Sequence, residues 1–95
     1  MMIRLISKGV YAEEDVEKAI EIFKKLRVES IKEEGCISYQ LCKEINDKTI
    51  LTMVEDWASM EIIEKHRNTE HFKTLVPELG KLKKSGELNL YEIVF

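Results

Sequence analysis

The sequence has a single proline, four glycines and two cysteines, and it contains no repeat, linker or low-complexity stretch. The two cysteines, Cys36 and Cys42, are too few for a disulfide scaffold. Six residues apart on one extended segment, they stand on the order of 20 Å from each other, beyond disulfide reach. They suit a reducing compartment, carry no metal-ligand spacing and read as small buried hydrophobes. No apolar run approaches the ~20 residues that cross a bilayer as a helix. The segment MMIRLISKG is too short and too interrupted for a signal peptide, so a cytoplasmic location is the expectation. Positive charge is not in excess either. Fifteen Lys and Arg stand against eighteen Asp and Glu, for a net charge of −3. The basic residues are scattered among acidic ones, so no nucleic-acid partner is expected.

What is present describes a folded globular chain: 44% hydrophobic and 35% charged residues. At 95 residues the whole of 1–95 reads as one domain. Such a chain buries only roughly 60–70% of the surface its unfolded form exposes, so its own core is modest.

Periodicity divides the chain. Residues 2–9 alternate loosely and read as a strand. From Glu13 onward Val16, Ala19, Ile20, Phe23, Leu26 and Ile31 recur at three- and four-residue steps, which predicts an amphipathic helix of about twenty residues. The acidic start at 13–15 suits the positive end of its dipole, and Gly35 is a left-handed stop. Segments 36–45 and 48–57 are rich in β-formers and flank Asn46-Asp47, which predicts a hairpin.

An even loop centred on Asn46-Asp47 would set Tyr39 opposite Val54. Ile37, Tyr39, Leu41, Ile50, Thr52 and Val54 would then share one face, with Cys36, Ser38, Gln40, Cys42, Leu51, Met53, Glu55 and Trp57 on the other. An odd loop slips this by one residue. In either register both faces carry large apolar groups, which implies a second covering layer or a partner copy.

Ser59 caps a short helix to about Arg67, with Ile62, Ile63 and His66 on its inner side and Glu64, Lys65 and Arg67 toward water. Thr69 caps the next, whose inner stripe is Phe72, Leu75, Val76 and Leu79. Pro77 predicts a kink or restart near Val76. Residues 86–95 form a last strand. The order β-α-β-β-α-α-β, with helices on one face of an antiparallel sheet, is that of a ferredoxin-like α+β sandwich.

The only tryptophan and both histidines fall within WASMEIIEKHRNTEHF, residues 57–72. His66 turns inward by its spacing, and an imidazole there can take or give a proton near neutral pH. The alternative is a core-edge histidine satisfied by a carbonyl. His71, in the first turn of its helix, flanks the apolar stripe beside Phe72. The two histidines are not i, i+4 and no third donor lies nearby in the sequence, so no metal site is expected. Trp57 and Tyr39 are aromatic candidates for core or pocket wall. Glu55 shares the Trp57 face and needs a partner if buried, for which Arg4 is a candidate.

EEGCISYQ (33–40), VEDW (54–57), a histidine nine residues after the tryptophan and TEHF (69–72) together resemble the antibiotic biosynthesis monooxygenase family. The matching residues are Gly35, Cys36, Tyr39, Glu55, Trp57, His66, His71 and Phe72, and the likeness spans nearly the whole chain. It implies a homodimer in which two four-stranded sheets pack face to face as a dimeric α+β barrel. It also implies a pocket between sheet and helices, with His66 catalytic and Tyr39, Trp57, Glu55, His71 and Phe72 around a small aromatic or quinol-like substrate. Some relatives oxidise quinols or anthrones with molecular oxygen and no cofactor, and a monooxygenase of that kind is the leading expectation. Haem-degrading relatives use a histidine and an asparagine where this chain has Val76 and Met2, which argues against haem. An isomerase of a small polar metabolite and a non-catalytic binding module are the rival readings. Mostly apolar walls with an imidazole favour the first, clustered Arg and Lys the second, and a filled cavity the third.

Overall fold

The computed structural model describes Met1–Phe95. Four strands and three helices follow one another as β1 (Ile3–Tyr11), α1 (Val16–Ser30), β2 (Cys36–Lys43), β3 (Ile50–Trp57), α2 (Met60–Arg67), α3 (Glu70–Leu82) and β4 (Lys83–Glu92), with a 3₁₀ turn at Glu13–Asp15. The strands form one antiparallel sheet in the order β2-β3-β1-β4. This is the ferredoxin-like α+β arrangement that the element order predicts. No helix is long and apolar enough to cross a membrane.

Inward residues alternate along the strands, as the two-residue strand period requires. Ile3, Leu5 and Tyr11 of β1, Tyr39 of β2 and Leu51, Met53 and Trp57 of β3 are buried beneath Val16, Ala19, Ile22 and Leu26 of α1, Ile63 of α2 and Leu79 of α3. α1 and α3 pack side by side over this face.

The hairpin register is the slipped one. Tyr39 pairs with Glu55, Leu41 with Met53 and Lys43 with Leu51, so the connection holds an odd number of residues. Its turn is held by Asp47, whose Oδ1 accepts from the Thr49 amide at 3.0 Å and hydroxyl at 2.6 Å. The slip moves Tyr39 and Leu41 onto the Glu55 and Trp57 face and leaves Ser38, Gln40, Cys42, Thr52 and Val54 on the other. A bulge at Ile37 lets Cys36 still pair with Trp57 and puts Ile37 out to solvent.

Other expectations are corrected in detail. α1 ends at Ser30, so Ile31 is exposed, and Ile22 is buried in the stripe. The chain turns through 31–35 before Gly35, at φ +87°, delivers it to β2. A Cβ on Gly35 would lie 2.7 Å from Ile62 Cγ2, so glycine serves both the backbone sign and the close approach of α2. Pro77 does not break α3 into two helices: the helix runs on through it to Leu82. Pro77 is exposed, so water can solvate the carbonyl that loses its amide partner. β4 begins directly at Lys83 and not at 86, and β1 extends to Tyr11. Cys42 is exposed and only Cys36 is half-buried, so the thiols are not a buried pair.

Arg4 pairs with Asp56, not Glu55. Arg4 and Glu55 lie on opposite faces of the sheet, because Arg4 stands directly across from Asp56. Arg4 Nε and Nη2 donate to Asp56 Oδ1 and Oδ2 at 2.8 and 2.9 Å, and Ser38 Oγ donates to Oδ2 at 3.1 Å. The Arg4 hydrogen bond leads in holding the Asp56 carboxyl below its ordinary value.

Candidate functional site

Between the inner sheet face and the helices lies a cavity of about 200 Å³. Eleven of its eighteen lining residues are hydrophobic, among them Leu5, Phe23, Met53, Val76 and Leu79. The size admits a small ring: an aliphatic cavity of ~150 Å³ holds benzene. The polar wall is sparse. It comprises His66, Glu55, the Tyr39 phenol, Ser7, Arg67, the Tyr11 phenol and Lys83.

His66 reaches this wall because Ser59 starts α2 in the right phase. The Ser59 hydroxyl accepts from the Ile62 amide at 3.2 Å, and Ile63 and His66, one turn apart, both face inward. The imidazole is inserted among rings. Its centroid lies 4.4 Å from that of Trp57, 5.1 Å from Phe72 and 6.4 Å from Tyr39. Only 4% of the side chain is exposed.

The Nδ1 edge of His66 faces Glu33, whose Oε2 lies 2.8 Å away. The same oxygen lies 2.7 Å from His71 Nε2. Thr69 ties the assembly together: its hydroxyl donates to the His66 carbonyl at 2.7 Å, accepts from the Phe72 amide at 3.3 Å and lies 3.2 Å from His71 Nε2. With the Glu33 carboxyl oxygen accepting from both rings, His66 carries Nδ1–H and its Nε2 is left without a partner in the chain. Burial depresses the His66 pKa below 6.5, opposed by the Glu33 hydrogen bond and charge.

Glu55 is 6% exposed, and its Oε1 accepts from Trp57 Nε1 at 2.9 Å. Residues two apart on a strand share a face, which makes this i, i+2 bond possible. Burial pushes the Glu55 carboxyl up to about 7, against the Trp57 hydrogen bond, with the Glu33 charge adding to the rise. Burial also raises the Tyr39 phenol and lifts the Cys36 thiol to about 11.

Of the six residues singled out from the sequence, His66, Tyr39, Glu55 and Phe72 line the cavity. Trp57 stands one layer behind, wholly buried against His66 and Glu55. His71 sits behind His66 on the Glu33 side, with the two ring centroids 6.1 Å apart. Ser7, Tyr11, Arg67 and Lys83 on the wall, and Glu33 behind His66, escaped the sequence reading. Arg67, placed toward water by its neighbours, lines the cavity while its Nη1 donates to Glu64 at 3.0 Å. Glu33 supplies the third donor that the histidine spacing lacks. It lies in the turn after α1, where no periodicity gives its direction.

No curated protein matches this sequence. Among solved structures, a conserved protein from Methanosarcina mazei Go1 is 34% identical, with a TM-score of 0.93 over 97% of this chain and 92% of the other. A protein from Bacteroides thetaiotaomicron VPI-5482, described as of unknown function and a possible oxidoreductase, is also 34% identical, with a TM-score of 0.92 over 97% of each chain. An antibiotic biosynthesis monooxygenase shares the fold at 22% identity and a TM-score of 0.90, over 97% of this chain and 98% of the other. The profile of that family matches residues 2–78, which hold fourteen of the eighteen residues lining the cavity, the Glu33–His66–His71 cluster and the Glu55–Trp57 pair. The chain belongs to the antibiotic biosynthesis monooxygenase family.

Proposed function

We propose that this chain is a cofactor-independent monooxygenase acting on a small quinol-like or polyphenolic substrate. The observation that carries the reading is a mostly apolar cavity whose wall holds one buried imidazole, anchored on Glu33 through Nδ1 and unpartnered at Nε2. His66 Nε2 takes the phenolic proton of the bound substrate. The resulting electron-rich anion reduces molecular oxygen itself. In a quinol a ring C–H becomes C–OH while the two phenol oxygens become quinone carbonyls, one atom of O₂ enters the product and the other leaves as water, so the substrate supplies all the electrons. Dry walls shield the reactive anion from bulk water. Glu33 stabilises the imidazolium that forms at His66, as a carboxylate behind a histidine base does elsewhere. Glu55, protonated or shared with Trp57, and the Tyr39 phenol offer hydrogen bonds to ring oxygens.

Family membership supports pairing of two copies through the outer sheet face, where Ile6, Val10, Ile50 and Val54 are only half-covered. The isomerase reading calls for clustered cations. Arg67 and Lys83 both reach the wall, but they come from separate elements, and Arg67 is engaged by Glu64.

Oxygen uptake by the purified protein, with a panel of reduced quinols and anthrones and a chelator in place of added flavin, haem or metal, tests the proposal. Uptake that saturates with one of these substrates is expected. Rates equal to the uncatalysed background across the panel would overturn it.

A further inference from the structure

Glu33, His66 and His71 come from three separate places: the turn after α1, the last turn of α2 and the first turn of α3. Their donor atoms nevertheless all lie within 4.8 Å of one another. The cluster sits on the side of His66 away from the cavity, since neither Glu33 nor His71 lines it. It is shielded without being sealed, with side-chain exposures of 14%, 4% and 16% for Glu33, His66 and His71. We propose that Glu33 Oε2, His66 Nδ1 and His71 Nε2 form a binding site for a divalent transition-metal ion of the zinc class.

The donor set selects the ion. Two imidazole nitrogens with one carboxylate oxygen suit zinc, cobalt or nickel, whereas calcium and magnesium take oxygen cages. Three protein donors with a fourth position for water is a common zinc arrangement. A tetrahedral ion with bonds of about 2.0–2.2 Å holds its donors roughly 3.3 Å apart. Glu33 Oε2 stands 2.8 and 2.7 Å from the two nitrogens, and all three donors lie within 4.8 Å of one another, so an ion is reached when the carboxylate withdraws by about half an ångström and the two nitrogens close by at most about 1.5 Å. The outer support is already in place: Thr69 fastens the two histidine-bearing segments through the His66 carbonyl and the Phe72 amide.

Metal binding has a defined chemical consequence for His66. An ion on Nδ1 moves the imidazole proton to Nε2. The nitrogen that faces the cavity then becomes a donor and ceases to be a base. On the reading of His66 as the base, which this consequence alone requires, zinc inhibits the enzyme. The site itself does not depend on that reading.

Cobalt(II) titration of the whole protein at about pH 7.5, with no substrate present, tests the site. Trp57 is the only tryptophan, and its ring lies 4.4 Å from His66, so its emission reports the ion directly. One cobalt per chain is expected, with visible ligand-field absorption and quenching of Trp57 that zinc reverses by displacement. His71→Ala and Glu33→Gln each weaken binding about tenfold or more. Circular dichroism melts of both variants without metal check that each is folded. The absence of a saturable signal up to ~1 mM cobalt, or unchanged affinity in the folded variants, would overturn the site. Neither result bears on oxygen uptake measured with a chelator.

Discussion

His66 Nδ1 and Glu33 Oε2 are 2.8 Å apart, although 33 residues separate them in sequence. The contact joins the turn after α1 to the end of α2 and sets which ring nitrogen of His66 is left for a ligand. Removing the carboxylate lets the ring choose its other tautomer. Glu33→Ala is expected to lower kcat about tenfold or more while KM changes less than about threefold, since Glu33 does not line the cavity. Glu33→Gln keeps an acceptor oxygen for Nδ1–H but loses the charge that stabilises the imidazolium, so it recovers only part of the lost rate. A KM effect that dominates, or a kcat in Glu33→Ala equal to wild type, would remove Glu33 from this role.

Glu55 ties stability to pH. Its folded pKa is about 7 against 4.5 for the free side chain, because burial penalises the charged form. Below about pH 4.5 the carboxyl is protonated in both states and costs nothing. Between about 4.5 and 7 the unfolded chain releases the proton while the folded one keeps it, so stability falls as pH rises through that window. The loss is about 3 kcal/mol, complete above about pH 7. Denaturant melts of wild type and Glu55→Gln at several pH values check it. The wild type loses ground to the variant from about pH 4.5 to 7, and a flat difference would contradict the assignment.

Two glycines separate backbone necessity from tolerance. Gly35 has φ +87° and faces Ile62, so Gly35→Ala meets both a left-handed backbone penalty and a clash. A cost of about 2 kcal/mol is expected, with α2 displaced from the turn. Gly80 lies within α3, and a Cβ there meets nothing within 4 Å. Gly80→Ala should stabilise by about 0.5–1 kcal/mol through helix propensity. Urea denaturation of the pair measures both signs.

Much of this fold is written in local patterns. The three-and-four spacing of Val16, Ala19 and Leu26, the caps at Ser59 and Thr69 and the β-rich pair around Asn46-Asp47 each state their element from a few neighbouring residues. The hairpin register is not local in that sense. It turns on the Asp47–Thr49 bonds, which make the connection odd and carry Tyr39 to the Glu55 side. Helix ends show the same limit. Ile31 fits the stripe by spacing, but the chain leaves the helix at Ser30 to reach Gly35. His66 was legible as inward because two isoleucines share its face. Glu33 was not, since a turn has no period, and its partners come from two helices that only the tertiary fold brings together.

The size of the cavity should control substrate affinity independently of the chemistry at His66. Val76 lines it from α3 and is itself half-buried. Val76→Phe places a ring in that space at an overpacking cost of about 1–3 kcal/mol. KM is expected to rise about tenfold, as an occluded pocket forfeits apolar contact worth about 1.4 kcal/mol or more. Unchanged KM in a folded variant would put the substrate elsewhere.

The most direct test of the account is the rate of oxygen uptake by His66→Ala beside the wild type, on the same quinol or anthrone, with chelator present. A fall in kcat of at least about tenfold, equal to about 1.4 kcal/mol of transition-state stabilisation, is the predicted result. Equal rates in the two proteins would contradict it and clear His66 of any part in the chemistry.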